Sequence, residues 1–256
     1  MKKAKIIGVI SLKGGVGKTT FSTNLASILR QEFKKDVLIV DGSLSCPSVG
    51  LHFGYQEPDR TIQDIFNSRK YGINDIIYEH KSGVHLIAAS HIKKTKSLNG
   101  FKQRIRSLRS YYDFIILDSS PIIGEEMDTV INSSDFTFAI TTPDHASLAS
   151  TMYAIKKAKE NNINVSGIIL NKVYNKSFEL DKKIVEKASK TPIVLSINHD
   201  EEFFQALSQG IPLSLYNPKN REIETYKRLA AALIKKPNEK LATKEAINRT
   251  ILSHDM

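Results

Sequence analysis

In this 256-residue chain, residue types and spacing point most directly to chemistry in the segment Lys13-Gly14-Gly15-Val16-Gly17-Lys18-Thr19-Thr20. Glycines at 14, 15 and 17 let a backbone wrap closely around an anion, and a helix opening at Lys18 presents free N–H groups to its oxygens. Lys18 is placed to reach terminal phosphates, the Thr19 hydroxyl to ligate Mg2+, and Thr20 to bond an inner phosphate. The general pattern G-x-x-x-x-G-K-[ST] asks for glycine at position 12, where Leu12 stands. ATP with magnesium is the ligand this loop implies.

Three further segments end apolar runs in a polar group. Phe114-Ile115-Ile116-Leu117-Asp118 reads as a buried strand whose terminal carboxylate would hold Mg2+ through its water shell. Val37-Leu38-Ile39-Val40-Asp41-Gly42-Ser43 reads the same way, with Asp41 at its end. In Gly167-Ile168-Ile169-Leu170-Asn171, the asparagine amide can both donate and accept, as an adenine edge requires.

The form K-G-G-x-G-K-T-T, with Lys13 ahead of the glycines, resembles the deviant Walker A motif of the ParA/MinD family of ATPases. The likeness runs from about Lys5 to Ile234. It implies an ATP-dependent homodimer in which Lys13 reaches the partner's phosphates, neutralising charge in trans as an arginine finger does. Asp118 then matches Walker B, and Asp41 the first carboxylate of a D-x-D segment. The second carboxylate, which orients or activates the attacking water in many members, is replaced by Ser43; a serine cannot accept a proton from water at neutral pH. Slow hydrolysis is the expected consequence, with Lys13, Lys18 and Asp41 as the catalytic set. Ser48 falls where relatives carry a polar residue at the dimer face, and Asn171 where the family reads adenine. Ile197-Asn198-His199-Asp200-Glu201 stands where the family has I-P-x-D, with Asn198 in place of the proline. The resemblance favours a MinD-like switch that positions other cellular components at a membrane or nucleoid surface, with a protein activator or cargo. A ParA-like DNA-partitioning ATPase and an ATP-holding scaffold with little turnover are the alternatives.

These residues need a frame. Short Ile/Val/Leu runs at Lys5–Ser11, Val37–Asp41, Val84–Ala89, Phe114–Asp118, Phe136–Thr141, Val165–Leu170 and Ile193–Ser196 alternate with amphipathic stretches. The latter are Lys18–Arg30, Leu98–Leu108, Ala146–Glu160, Phe178–Ala188, Glu201–Gln209 and Arg221–Ile234. Continuous apolar strands separated by helices predict an α/β fold: a mainly parallel twisted sheet of about seven strands flanked by helices, as in P-loop NTPases. Residues 1–236 form one ATPase domain in this scheme, and the polar stretch 237–256 a tail, whose apolar residues make a poor membrane-binding stripe.

The net charge is +10, and His91–Ser110 contributes Lys93, Lys94, Lys96, Lys102, Arg104, Arg106 and Arg109 with no acidic residue. Such a run can attract DNA or an anionic membrane. Lysines 182, 183, 187 and 190 are a second set for the DNA reading. A single cysteine, Cys46, rules out an intramolecular disulfide framework and disfavours an iron–sulfur scaffold. With no signal-peptide cleavage site and no membrane-length apolar run, the cytoplasm is the expected compartment. The scattered histidines are expected to be solvated or packed.

Overall fold

The computed structural model describes residues 3–235 apart from Arg69 and Lys96; the expected tail lies outside the described residues. In chain order the elements begin with β1 (Lys5–Ile10), α1 (Lys18–Gln31), β2 (Val37–Gly42), α2 (Asp64–Asn67), β3 (Tyr78–Glu79), β4 (His85–Ile87) and α3 (Phe101–Ser107). They continue with β5 (Phe114–Ser119), α4 (Glu125–Ser133), β6 (Phe136–Thr141), α5 (His145–Glu160), β7 (Asn164–Val173) and α6 (Lys182–Ser189). The chain closes through β8 (Ile193–Asn198), α7 (Glu202–Ser208), α8 (Leu213–Tyr216) and α9 (Arg221–Lys235).

The strands form one eight-stranded sheet in the order β3-β4-β2-β5-β1-β6-β7-β8. All neighbours are parallel except the β3–β4 pair at the edge. The seven expected strands are present. The eighth, β3, has two residues, too few to leave a periodic signal.

Burial explains why the strand sequences are continuously apolar. Every residue of β2 and β5 is buried, because helices cover both faces. Ile7 and Val9 pack with Phe21 and Leu25 of α1 on one side, while Ile6 packs with Ile105 and Leu108 on the other. Each fully buried aliphatic side chain contributes about 1.5–3 kcal/mol relative to exposure, so this double cover fixes the register of the central strands.

Besides the four-residue helices α2 and α8, for which the sequence offers no pattern, two longer helices depart from expectation. The helix read from Phe178 begins at Lys182, because the Asp181 carboxylate caps it by accepting the Lys183 amide at 2.7 Å. Glu179 meanwhile holds the amides of Tyr174 and Lys176, closing the preceding segment as a loop. Helix α4 was not anticipated; it opens on Glu125 and Glu126 and buries Met127, Val130 and Ile131.

The order places β1 at the centre, with the chain winding first toward β2 and later toward β7. The carboxyl ends of β1, β2, β5, β6 and β7 therefore meet at one edge, where open α/β sheets bind ligands. Between β2 and β5 the register sets Asp41 beside Asp118 and Gly42 beside Ser119. A Cβ on Gly42 would lie 2.8 Å from the Asp118 carbonyl oxygen and 2.5 Å from a Val130 methyl. Gly42→Ala is therefore expected to lower stability by about 1–3 kcal/mol, read as a lower denaturation midpoint with an unchanged slope. An unaltered midpoint would refute the tight approach.

Candidate functional site

Helix α1 begins without a side-chain cap: Gly17 takes the N-cap position in the left-handed region, φ 95°. Its first amides are thus left for a ligand, at the positive end of a 14-residue helix. A Cβ at Gly17 would sit 2.2 Å from the Asn171 Nδ2, so glycine is required there by space as well as by φ. Asn171 comes from a bulge in β7, where the register to β8 shifts between Leu170 and Val173 and Lys172 has φ 56°. Through that bulge Asn171 Nδ2 donates to the Val16 carbonyl at 2.7 Å, and Lys172 Nζ to the Gly15 carbonyl at 2.8 Å. The glycine loop is thus held from outside by its carbonyls, which leaves its N–H groups facing inward.

Lys18 is buried and donates to the Lys13 carbonyl at 3.3 Å. Burial pulls its ammonium below the ordinary lysine range, opposed by the charge of Asp118. The Thr19 hydroxyl donates to Asp118 Oδ2 at 2.5 Å and lies 2.7 Å from the Ser48 hydroxyl. Ser22 Oγ donates to the other Asp118 oxygen at 3.0 Å. Burial raises the Asp118 carboxyl above the usual range, with Thr19, Lys18 and Ser22 pulling it back. Among the described residues no group of three His, Cys, Asp or Glu side chains is arranged to hold a metal ion. Thr19, Ser48 and Asp118 instead gather hard oxygen atoms, a donor set that fits Mg2+ when phosphate oxygens and water complete the shell.

Asp41 is wholly buried, and its oxygens accept three backbone amides: Ser43 at 3.0 Å, Ser48 at 2.9 Å and Val49 at 3.0 Å. These bonds tie the end of β2 to the loop 43–49. Ser43 is buried too, and its hydroxyl donates to the Cys46 carbonyl at 3.0 Å. Ser48, expected at a dimer face, is half-buried and lines the cavity, with its hydroxyl against Thr19.

Lys13 does not enter the loop interior. Its Nζ donates to Asp144 Oδ1 at 3.2 Å and to Ser147 Oγ at 2.7 Å, with 39% of its side chain exposed. Asp144 is the N-cap of α5 and also accepts the Ser147 amide. Its partial burial opposes ionisation, but bonds from Ser147, Thr142 and Lys13 outweigh that and hold the carboxyl well below the usual range.

Lys18, Thr19, Ser43, Ser48 and Asn171 line one cavity of about 410 Å³ that runs from the glycine loop to the segment 198–207; Lys13, Asp41 and Asp118 lie outside its lining. At the far end the His199 ring stacks on Tyr174 at 4.4 Å and 22°. Asn198 also lines the cavity; it donates twice to Glu222 and accepts from Asn175, each at 2.9 Å, which fixes its side chain. His52 also lines the cavity; it is buried, and burial lowers its imidazole to about 4, consistent with the packed role expected for histidine.

Within the basic run 91–110, some of the charges have partners in the same chain. Lys93 donates to Asp64 and to the Asp59 carbonyl, both at 2.7 Å, Arg109 pairs with Asp135, and Arg104 lies over the Phe66 ring at 5.7 Å. Lys94 and Arg106 stay exposed, and Lys96 is outside the described residues. Lys182, Lys183, Lys187 and Lys190, by contrast, are all exposed along and just after α6. Among the described residues no helix is long and apolar enough to cross a membrane.

Sequence reasoning missed Asp144, Ser147, Lys172 and Glu126. Asp144 and Ser147 carried a signal, the D-x-x-S spacing of a helix N-cap. Lys172 and Glu126 carried none beyond adjacency to segments already singled out.

A glycine loop between a central strand and an uncapped helix, with a buried carboxylate on the neighbouring strand, defines a P-loop nucleotide hydrolase fold. A family profile described as AAA domain matches residues 4–167. An ATP-binding protein of Methanocaldococcus jannaschii is 29% identical over 231 residues, 89% of this chain and 87% of that one. The septum site-determining protein MinD of Pyrococcus horikoshii, complexed with Mg-ADP, superposes with a TM-score of 0.83 at 25% identity, covering 92% of this chain and 100% of that one. A ParA family ATPase of Chlorobium tepidum gives a TM-score of 0.78 at 26% identity, covering 90% and 99%. The chain belongs to the ParA/MinD family of P-loop ATPases.

The raised Asp41 carboxyl has a consequence for stability. Burial, and then the charge of Asp118, lift it from 3.8 to about 7 against the pull of its three amide bonds. The folded chain thus keeps a proton there that the unfolded chain has lost. Its stabilising effect is complete below the unfolded value and disappears as pH rises through the folded one. In denaturant titrations from pH 4 to 7, the stability of the parent relative to Asp41→Asn is expected to fall steadily. A difference that stays flat would show that the carboxyl is not raised.

Proposed function

We propose that this chain binds ATP with Mg2+ and dimerises around it, as a MinD-like switch that positions other cellular components. The observation that carries the proposal is the pair of lysines. Lys18 fills the interior of the loop, while Lys13 sits outside on Asp144 and Ser147, part exposed and available to a second chain. In this reading the amides of Gly14, Gly15, Val16 and Gly17, with Lys18 and Thr20, hold phosphate. Thr19 and Asp118 hold Mg2+, which supplies charge neutralisation at the phosphates when bound. Asn171 keeps its amide oxygen for the base while its Nδ2 supports the loop. Asp41 shapes the loop 43–49 and so acts on hydrolysis at one remove.

A ParA-like reading, with nonspecific DNA binding, draws its support from the exposed lysines of α6 rather than from 91–110. The scaffold reading rests on Ser43.

Sedimentation of the full chain tests the switch. With a non-hydrolysable ATP analogue and Mg2+ the parent is expected to move from monomer to dimer, and Lys13→Ala to remain largely monomeric at the same concentration. Equal masses with and without nucleotide would remove the trans-lysine mechanism.

Turnover provides an independent check. An aspartate at 43 would face the Cys46 carbonyl, an acceptor, and so must turn its carboxylate toward the cavity. Ser43→Asp is therefore expected to hydrolyse ATP at least about ten-fold faster, below the roughly 10²–10⁴-fold typical of a placed general base, with ATP affinity within a few-fold. A parent as fast as the variant would mean that Ser43 suffices.

A further inference from the structure

The loop 43–49 lines the cavity with Ser43, Cys46 and Ser48, and two carboxylates hold its backbone. Asp41 takes the amides of Ser43, Ser48 and Val49. Glu126 takes the rest of the near half: its Oε2 accepts the Leu44 amide at 3.0 Å and the Ser45 amide at 3.2 Å, and its Oε1 accepts the Ser45 hydroxyl at 2.5 Å. Since Asp41 already serves three donors, it offers no substitute for these bonds.

Glu126 stands in the first turn of α4, at the end of the segment that leaves Asp118. The helix beneath it is anchored, since Met127, Val130 and Ile131 are buried. The neighbouring Glu125 fixes a different loop, accepting the Leu98 amide at 2.8 Å. An acidic residue in a first helical turn is ordinarily placed there by the helix dipole alone. Here three donors from one short loop converge on one carboxylate, and amide-to-carboxylate bonds are among the stronger ones a protein makes.

From this geometry we propose that Glu126 is a positioning residue for hydrolysis, the clamp that fixes which way residue 43 faces. Ser43 immediately precedes the clamped pair, and its hydroxyl closes back on Cys46 just beyond them. The segment after Asp118 and the segment after Asp41 consequently move as one body. Any displacement of α4's first turn is passed to residue 43 through two amides. The catalytic part of this inference rests on the ATPase reading; the clamp itself does not.

Glu126→Gln in the full chain separates the two. Hydrogen exchange without nucleotide should be about ten-fold faster or more at the Leu44 and Ser45 amides, the factor expected when a charge-assisted bond is lost. ATP turnover should show kcat lowered about ten-fold with KM within two-fold, and Ser43→Asp should lose its gain when combined with Glu126→Gln. Unchanged exchange at 44 and 45 overturns the clamp. Unchanged kcat, or a raised KM with a lowered melting temperature, overturns the positioning role. If Glu126→Gln fails to fold, Ser45→Ala removes one of the three bonds and must move exchange and kcat in the same directions. A parent that binds no ATP by equilibrium titration would instead refute the ATPase reading, and the exchange measurement would still decide the clamp.

Discussion

Two carboxylates, Asp41 and Asp118, lie side by side at the ends of adjacent parallel strands, both with no exposed surface. Placing like charges together in a medium of low dielectric is costly unless each oxygen is met by donors. The surrounding chain is arranged around that requirement. Asp118 draws in the hydroxyls of Thr19 and Ser22 and the ammonium of Lys18, which brings the first turn of α1 against β5. Asp41 draws in three amides, which folds the loop 43–49 back over the strand ends. Gly42, next to Asp41 and opposite Ser119, is small enough to let the Asp118 carbonyl come this close.

The same constraint explains why the phosphate loop is held by its carbonyls. If donors near the strand ends are consumed by the two carboxylates, support for the loop has to come from elsewhere, and it comes from the β7 bulge. Asn171 and Lys172 bond the carbonyls of Val16 and Gly15, and the peptide units they fix point their N–H groups the opposite way, toward the cavity. Strand end, helix start and bulge therefore reach the loop from different elements, so its shape depends on the order of strands as much as on its glycines.

Much of this was legible in the residues themselves. The apolar strands at 37–41 and 114–118 announce themselves because parallel strands buried on both faces need no polar alternation, and the loop at 13–20 because glycine, lysine and threonine at that spacing have few other uses. What was hidden depends on contacts between distant segments. Asp41 reads as a site carboxylate from its place after an apolar run; that its oxygens are spent on amides at 43, 48 and 49 follows from a loop path with no periodic signature. In the run 91–110 the sequence shows the lysines and arginines but not the Asp64, Asp135 and Phe66 ring that meet three of them. The amphipathic pattern of α6 extends ahead of its cap, and Asp181 sets where the helix begins.

Lys13 shows how these pieces act together under the proposed function. In the single chain its ammonium is held by Asp144, whose carboxyl stays ionised because Ser147, Thr142 and the α5 N-terminus all supply donors to it. Half exposed, that ion pair is worth little, on the order of 0–1 kcal/mol after screening. It is strong enough to give a flexible side chain a resting place away from its own phosphate loop. It is also weak enough to yield to a polyphosphate presented by a second chain, whose larger charge and enclosed setting strengthen the competing contact. The weakness of the pair suits a switch, because a lysine buried in a tight intramolecular bridge would carry a dissociation cost into dimer formation. A serine at 43 extends the same logic: with one carboxylate fewer at the cavity, the closed state carries less negative charge against the phosphates and persists longer before hydrolysis ends it.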